Sequence, residues 1–321
     1  MTQTLRRAAV WPVLSLMVIS PVLAEVISSA TPVVALLNPA LLLSYVLILY
    51  GLPVLIIREV AVRRRVGPLG LWCLGLIYGL YNEGLLSLDL FHPFGHSGDG
   101  YAGYGVVGGL LVPFTIFIAF WHGLFSVALP VLLVERLFPK QAGRAWLPTW
   151  LVVTIAALCL VMAVLAYFGV GRDTPQPVSD AHLAVVMIVG LALWFCAGWL
   201  PRTPVLGPGR PKAPVRSFVV GALLFAAILT PSILADEGVA WGWQPSYFAI
   251  VAIAAAWAIG RVPVTSHATA VICVMGAGAA HAVATASFGV MGGDPLLVAS
   301  AAVLGAAFVV VAVRSRTGYG Q

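Results

Sequence analysis

Apolar stretches recur along the whole chain, separated by short polar or basic segments. Each has about twenty residues, the length that a helix needs to cross roughly 30 Å of hydrocarbon. The pattern predicts an all-α, polytopic bundle of membrane helices. The composition agrees, because only 9% of the residues are charged, against about 25% in a soluble domain. An ordinary soluble enzyme, a nucleic-acid reader and a disordered regulator are thereby excluded.

Hydropathy places ten spans and predicts one integral membrane domain over residues 1–321. The spans run 8–30, 40–57, 68–88, 112–134, 146–170, 182–200, 217–235, 246–260, 267–290 and 295–313. The first follows Arg6 and Arg7 as a signal peptide would, but its apolar run is long enough to span, so we expect an uncleaved helix. The fourth span has an alternative start near Val106, with a break at Pro113.

The basic residues sort to one side of this layout. Of the 17 Lys and Arg residues, all except Arg172 fall on the side of the N-terminus. Cytoplasmic loops are enriched in Lys and Arg, so we expect both termini in the cytoplasm and the chain in the cell (plasma or inner) membrane. The net charge of +6 then reflects topology, and we expect the lipid bilayer, not nucleic acid, as partner.

No nucleotide site is expected. The chain lacks the G-x-x-x-x-G-K sequence of a P-loop. Residues 103–108 match G-x-G-x-x-G, but that fingerprint requires a preceding strand and a following helix, and no strand is predicted there.

Apart from the histidines that begin two spans, four Glu and His side chains lie inside predicted spans: Glu25, Glu83, His122 and His281. Such residues are costly in a membrane and usually face the bundle interior or a water-filled cavity. At about 1.5 Å per residue, all four lie at similar depth in the outer half of the bilayer. We therefore expect one shared site built on Glu83, His122 and His281, whereas Glu25, nearer the interface, is expected to be structural.

Small and polar residues surround these four. Gly75 and Gly79 share a helix face with Glu83, and such a stripe allows a second helix to approach closely. Gly276, Ala280 and Ala284 form a similar surface beside His281. Each of the three site residues has a supporting polar neighbour: Asn82 next to Glu83, Ser126 four residues after His122, and Thr285 four residues after His281.

The longest loop of the first half follows the third span directly. It contains Asp89, His92, His96 and Asp99, together with Tyr101 and Tyr104. His92 and His96 have a spacing that suits a metal only in a helix, and Pro93 and Gly95 disfavour one. We expect a solvated loop with aromatic interface anchors.

The order of these motifs resembles the CPBP (Abi-like) intramembrane proteases, whose pattern is E-E-x-x-x-R, then F-x-x-x-H, then H-x-x-x-N/D. The residues that correspond to the three motifs are, in order, Asn82-Glu83 with Ser87, His122 with Ile118 (Phe117 being adjacent), and His281 with Thr285. The first Glu, the Arg, the Phe and the last Asn/Asp of the pattern are replaced. The segments "LIIREV" and "YGLYNEGL" also look like parts of uncharacterised bacterial membrane proteins.

The resemblance implies an intramembrane peptidase or a non-catalytic relative. Glu83 would be the base that activates water, and His122 and His281 would stabilise the oxyanion or hold a divalent metal together with Glu83. Two alternatives stay open: a proton-coupled secondary transporter of a small molecule, and a structural or assembly protein whose polar cluster locks helices together. The substrate, a peptide or a small molecule, is not specified by the sequence.

Overall fold

The computed structural model describes residues 9–28, 30–91, 101, 103–169, 178–200, 213–261 and 267–316. These residues are almost entirely helical. Long runs of Leu, Val, Ala and Ile without charge allow each backbone N–H to bond within its own helix, as an apolar solvent requires.

Ten helices are described, numbered here in chain order. Their bounds are α1 Val10–Val26, α2 Pro39–Arg63, α3 Pro68–Tyr81 with its extension Asn82–Leu86, α4 Val112–Leu137, α5 Thr149–Gly169, α6 Asp180–Trp199, α7 Pro214–Asp236, α8 Gln244–Arg261, α9 His267–Gly292 and α10 Pro295–Ser315. Short 3₁₀ helices cover Val33–Leu37 and Trp241–Trp243.

Each predicted span overlaps one of these helices, so an all-α membrane bundle is confirmed. Seven helices are long and apolar enough to cross a membrane by length and composition, namely α2, α4, α5, α6, α7, α9 and α10. The helix α1 is shorter, and α3 carries Asn82 and Glu83 near its end. The count of ten spans and the cytoplasmic termini therefore stay predictions.

A small hairpin precedes α4, where the alternative start of the fourth span was placed. Val106–Val107 pairs antiparallel with Leu110–Leu111, and the helix begins at Val112. Gly108 and Gly109 form the turn with φ of 59° and 90°, the left-handed backbone that a two-residue hairpin turn needs. The start near Val106 is therefore wrong, because Gly-Gly favours a turn over a helix.

The helix α4 is the centre of the bundle. Of the most apolar stretch of α4, 78% is buried inside the protein, compared with 17% of that of α5, 11% of that of α6 and 17% of that of α10. It packs against α1, α2, α3, α7 and α9. The three exposed helices have apolar faces that suit contact with lipid, so a polar side chain on α4 is shielded by other helices.

Candidate functional site

A carboxylate, an imidazole and a hydroxyl form a continuous hydrogen-bonded row between α3 and α4. The Glu83 Oε1 atom lies 2.7 Å from His122 Nε2, and His122 Nδ1 lies 2.7 Å from Ser126 Oγ. When the imidazole is neutral, Nε2–H donates to the carboxylate and the serine hydroxyl donates to Nδ1. Glu83 is 9% exposed, His122 3% and Ser126 0%, so the row lies almost wholly inside the protein.

The glycine stripe of α3 makes this contact between helices. A Cβ atom at Gly75 would lie 2.7 Å from Gly123 Cα, and one at Gly79 would lie 2.8 Å from Ala119 Cα. Real Cβ atoms do not approach a backbone that closely, so neither position has room for a larger residue. The predicted close approach is confirmed, and the partner helix is α4.

Four π-helical turns interrupt the helices around this row. They cover Val22–Val26, Ser44–Leu49, Asn82–Leu86 and His122–Ala128. They carry Glu25, Tyr45, Glu83 and His122, so each π turn described contributes a polar residue to this region. Such turns are rare and occur frequently at functional sites, because the extra residue rotates a side chain out of helical register.

Three further polar groups surround the Glu83 carboxylate. Asn82 Nδ2 donates to Oε1 at 3.1 Å, and Ser87 Oγ donates to Oε2 at 3.0 Å. The Asp89 carboxyl is also hydrogen-bonded to Glu83. Two carboxyl groups can share a hydrogen bond only when one of them holds a proton, so this contact requires one protonated carboxyl.

Asp89 lies beyond the end of α3 and is half-buried. Burial and the nearby negative charge of Glu83 raise the pKa of Asp89 from its ordinary value of 3.8 to about 7. Burial penalises the charged form, and a second carboxylate at the same place penalises it further. The Asp89 carboxyl therefore exchanges its proton close to neutral pH.

Glu25 joins a second cluster that adjoins the first. Its carboxylate accepts hydrogen bonds from the Tyr50 hydroxyl and, at 2.6 Å, from Thr31 Oγ1. The Tyr50 ring lies 6.1 Å from the His122 ring, and the Tyr78 ring lies 5.4 Å from it on another side. Tyr50 thus stands between the Glu25 carboxylate and the His122 imidazole.

His281 does not join the row. Its ring is enclosed by the rings of Trp121, Phe125 and Phe225, with centroids 4.7, 4.6 and 5.0 Å away. Its Nδ1 atom has no hydrogen-bond partner among the described residues. Trp121 and Phe125 precede His122 and Ser126 by one position each, so His281 packs on a different face of α4.

The structure therefore brings together two of the three predicted site residues. Within the described ranges, no group of three or more His, Cys, Asp or Glu side chains is placed to hold a metal. The expected metal set of Glu83, His122 and His281 is not assembled. Thr285 is likewise not part of the row, because its hydroxyl donates to the carbonyl of Ile27, the residue after α1.

The loop after α3 is only partly described. His92, His96 and Asp99 lie outside the described residues. Tyr101, expected as an interface anchor, is 2% exposed and stacks on Phe117 at 5.3 Å. Aromatic neighbours on α4 bury this ring, so the expectation of a wholly solvated loop is wrong at Tyr101.

A second polar network was missed by sequence reasoning. Arg58, Glu59 and Glu135 are each 0% exposed. Arg58 Nε donates to Glu135 Oε1 at 2.7 Å, Arg58 Nη1 donates to Glu59 Oε1 at 2.5 Å, and the guanidinium lies 3.5 Å from the centroid of the Trp146 ring. Arg58 was interpreted only as a topology marker, although the adjacent acid Glu59 is a sequence signal for an ion pair.

The family comparison covers almost the whole chain. A model described as an uncharacterized membrane protein family matches residues 14–317. The chain belongs to this family. It is thus a multi-pass integral membrane protein, and the family that matches is not described as CPBP proteases. The comparisons with curated proteins and with solved structures found no match.

Proposed function

We propose that the protein is a proton-coupled secondary transporter whose proton site is the Glu83–Asp89 carboxyl pair together with His122. The observation that supports this most directly is the row of proton-carrying groups. It runs from Asp89 through Glu83 and His122 to Ser126. Chains of Asp, Glu and His side chains inside a membrane are typical of proton relays in pumps and transporters.

The exposure of the groups gives the row a direction. Ser87 is exposed and Asp89 half-buried, whereas Glu83, His122 and Ser126 are buried. The distribution of basic residues favours ten spans with both termini in the cytoplasm and places the protein in the plasma membrane. In this topology the open end of the row lies on the outer side.

The row ends inside the bundle. The next acidic residue on α4 after Ser126 is Glu135, nine positions later, or about 13 Å along the helix. Buried apolar residues such as Val127, Val131 and Val134 lie between them. A proton that enters from the open end therefore stops at a closed inner half, which suits alternating access better than a continuous proton channel.

Dicyclohexylcarbodiimide labelling tests the proton site without a known substrate, because the reagent attacks protonated carboxyls in apolar surroundings. We expect Asp89 in reconstituted protein to be labelled at least about tenfold faster near pH 5 than near pH 9, since its pKa lies at about 7. Peptide mass spectrometry locates the adduct.

Matched variants complete this experiment. Asp89→Asn should abolish the pH-dependent adduct. Glu83→Gln should move its midpoint to lower pH, because the charge of Glu83 helps to raise the pKa of Asp89, and His122→Phe should change its pH profile. His281→Phe and Glu237→Gln should leave it unchanged, because neither residue contacts the row. Labelling of Asp89 that does not depend on pH would contradict the proposal, and unchanged labelling in all folded variants would favour a purely structural cluster.

A hydrolase is the second candidate, because acid, imidazole and hydroxyl lie in the order of a Ser-His-acid triad, with the two ring nitrogens exchanged. In this variant of the CPBP-like hypothesis, Ser126 would be the nucleophile and His122 its base. Ser126 is fully buried, which leaves a substrate carbonyl no access in this conformation. Covalent labelling of Ser126 by a fluorophosphonate, lost in Ser126→Ala, would favour the hydrolase; the transporter predicts no labelling.

A further inference from the structure

A cavity of about 530 Å³ opens where α2 ends and α3 begins, against the last turns of α6. Three consecutive arginines line one wall and apolar side chains line the other. The basic wall consists of Arg63, Arg64 and Arg65, and the apolar wall includes Val66, Leu74 and Trp194. This cavity is separate from the Glu83–His122 row and is independent of the transporter proposal.

The arginines differ in what they bind. Arg63 is engaged, because it pairs with Glu59 Oε2 at 3.1 Å and donates to the Leu147 carbonyl at 2.6 Å. Arg64 lies over the Trp194 ring, 4.2 Å from its centroid, and Arg65 is exposed. No described acidic residue lines the cavity or pairs with Arg64 or Arg65. Two positive charges are therefore left without a counter-charge from the described part of the chain.

The Trp194 stacking holds the Arg64 guanidinium in place. A guanidinium over an aromatic face is fixed in orientation while its N–H donors stay free at the edge. Its planar fork matches phosphate oxygens in a bidentate manner. Arg65 follows with φ of 53°, a left-handed conformation that reverses the chain and keeps its side chain at the same opening.

The apolar wall continues into a lipid-facing surface. Only 11% of the most apolar stretch of α6 is buried inside the protein, and its Leu191 and Phe195 are 57% and 59% exposed. Such a surface must be covered by acyl chains when the protein is in a bilayer. A ligand seated in the cavity therefore meets two arginines at one end and hydrocarbon at the other.

We propose that this cavity binds the phosphate headgroup of an anionic phospholipid, with the headgroup on Arg64 and Arg65 and the upper acyl chains against Trp194 and Leu74. Basic pockets between membrane helices on the cytoplasmic side are suited to anionic headgroups. The apolar wall favours a lipid over free inorganic phosphate, which would use only the arginines.

Native mass spectrometry of the delipidated full-length protein tests the proposal. Phosphatidylglycerol, phosphatidylcholine and inorganic phosphate are titrated separately. We expect wild-type protein to bind phosphatidylglycerol at least about tenfold more tightly than phosphatidylcholine, because two nearby arginines attract the net negative charge. We expect inorganic phosphate to bind weakly and to displace little lipid.

The variants are Arg64→Gln and Arg65→Asn, alone and together, since Asn tolerates the left-handed conformation at position 65. The double variant should lose most of the preference for phosphatidylglycerol. Arg144→Gln is the matched control, because Arg144 is an exposed arginine outside the cavity. Arg64→Gln alone keeps the test valid if the double variant does not fold.

Two results would overturn the proposal. One is equal binding of phosphatidylglycerol by wild type and by a folded double variant. The other is tight binding of inorganic phosphate that displaces the lipid, which would make the cavity a site for a free anion.

Discussion

At the scale of single residues, the site depends on the proton that two carboxyl groups share. Glu83 is fixed by hydrogen bonds from Asn82, Ser87 and His122, and Asp89 meets it from the neighbouring loop. The sequence alone predicted Glu83 and His122 as partners, since both are costly in a membrane. The sequence predicted a solvated loop at Asp89, because no residue near Asp89 indicates that the chain turns back onto Glu83.

The pH dependence of stability tests this pair. The folded pKa of Asp89, about 7, lies above its ordinary value of 3.8, so the folded state binds a proton more tightly than the unfolded state. The free energy of unfolding should therefore fall as pH rises from about 4 to about 7 and then level off. Asp89→Asn should remove this slope.

Thermal unfolding in nanodiscs across this pH range measures the effect. The control is Glu237→Gln, because Glu237 is an exposed carboxyl, and this variant should keep the wild-type slope. Asp294→Asn is less suitable, because Asp294 caps α10. An identical slope in Asp89→Asn would mean that another group binds the proton.

At the scale of helices, small residues decide which side chains meet. The stripe of Gly75 and Gly79 was readable from spacing alone, and it packs on α4. His281 also lies on a helix with a small-residue surface, but that surface contacts α7, where a Cβ at Gly276 would lie 2.0 Å from the Phe218 carbonyl. Spacing shows that a helix approaches closely, but not which helix, so the sequence could not separate His281 from the other two.

The π-helical turns are the second reason why the site was only half predicted. They shift the register within α1, α2, α3 and α4. An ideal helix assigns each residue to one face, and an inserted residue changes the face from that point onward. Composition carries no local signal for such a turn, so face assignments beyond it fail.

Enlarging Gly79 tests the role of helix contact. Gly79→Leu should push α3 away from Ala119 and reduce the free energy of unfolding by about 1–3 kcal/mol, the usual cost of overpacking. It should also change the pH profile of the labelling at Asp89 by separating Glu83 from His122. Gly190→Leu is the matched control, because a side chain at Gly190 meets nothing within 4 Å; equal effects of both variants would contradict this account.

At the scale of the whole molecule, α4 links two polar centres. The Glu83–His122 row lies in its middle, and Glu135 near its end binds Arg58 of α2. The exposed helices α5, α6 and α10 surround this core. The class of fold followed from composition, because a chain with 9% charged residues cannot cover a water-soluble surface.

Side-specific labelling tests the ten-span topology. In a background without the four native cysteines, Glu237→Cys should react with an impermeant maleimide on intact cells. Arg144→Cys should react only after lysis. The two positions are separated by α5, α6 and α7, an odd number of spans, so reaction of both on the same side would contradict the topology.

The central claim is that a carboxyl pair at Glu83 and Asp89 holds a proton and releases it near neutral pH. Infrared difference spectroscopy of the protein in lipid measures this most directly, because a protonated carboxyl has its own C=O stretching band. We predict a band that disappears as pH rises through about 7 and that is absent in Asp89→Asn, while His281→Phe retains it. A wild-type spectrum without such a titrating band, or one that Asp89→Asn leaves intact, would contradict the account.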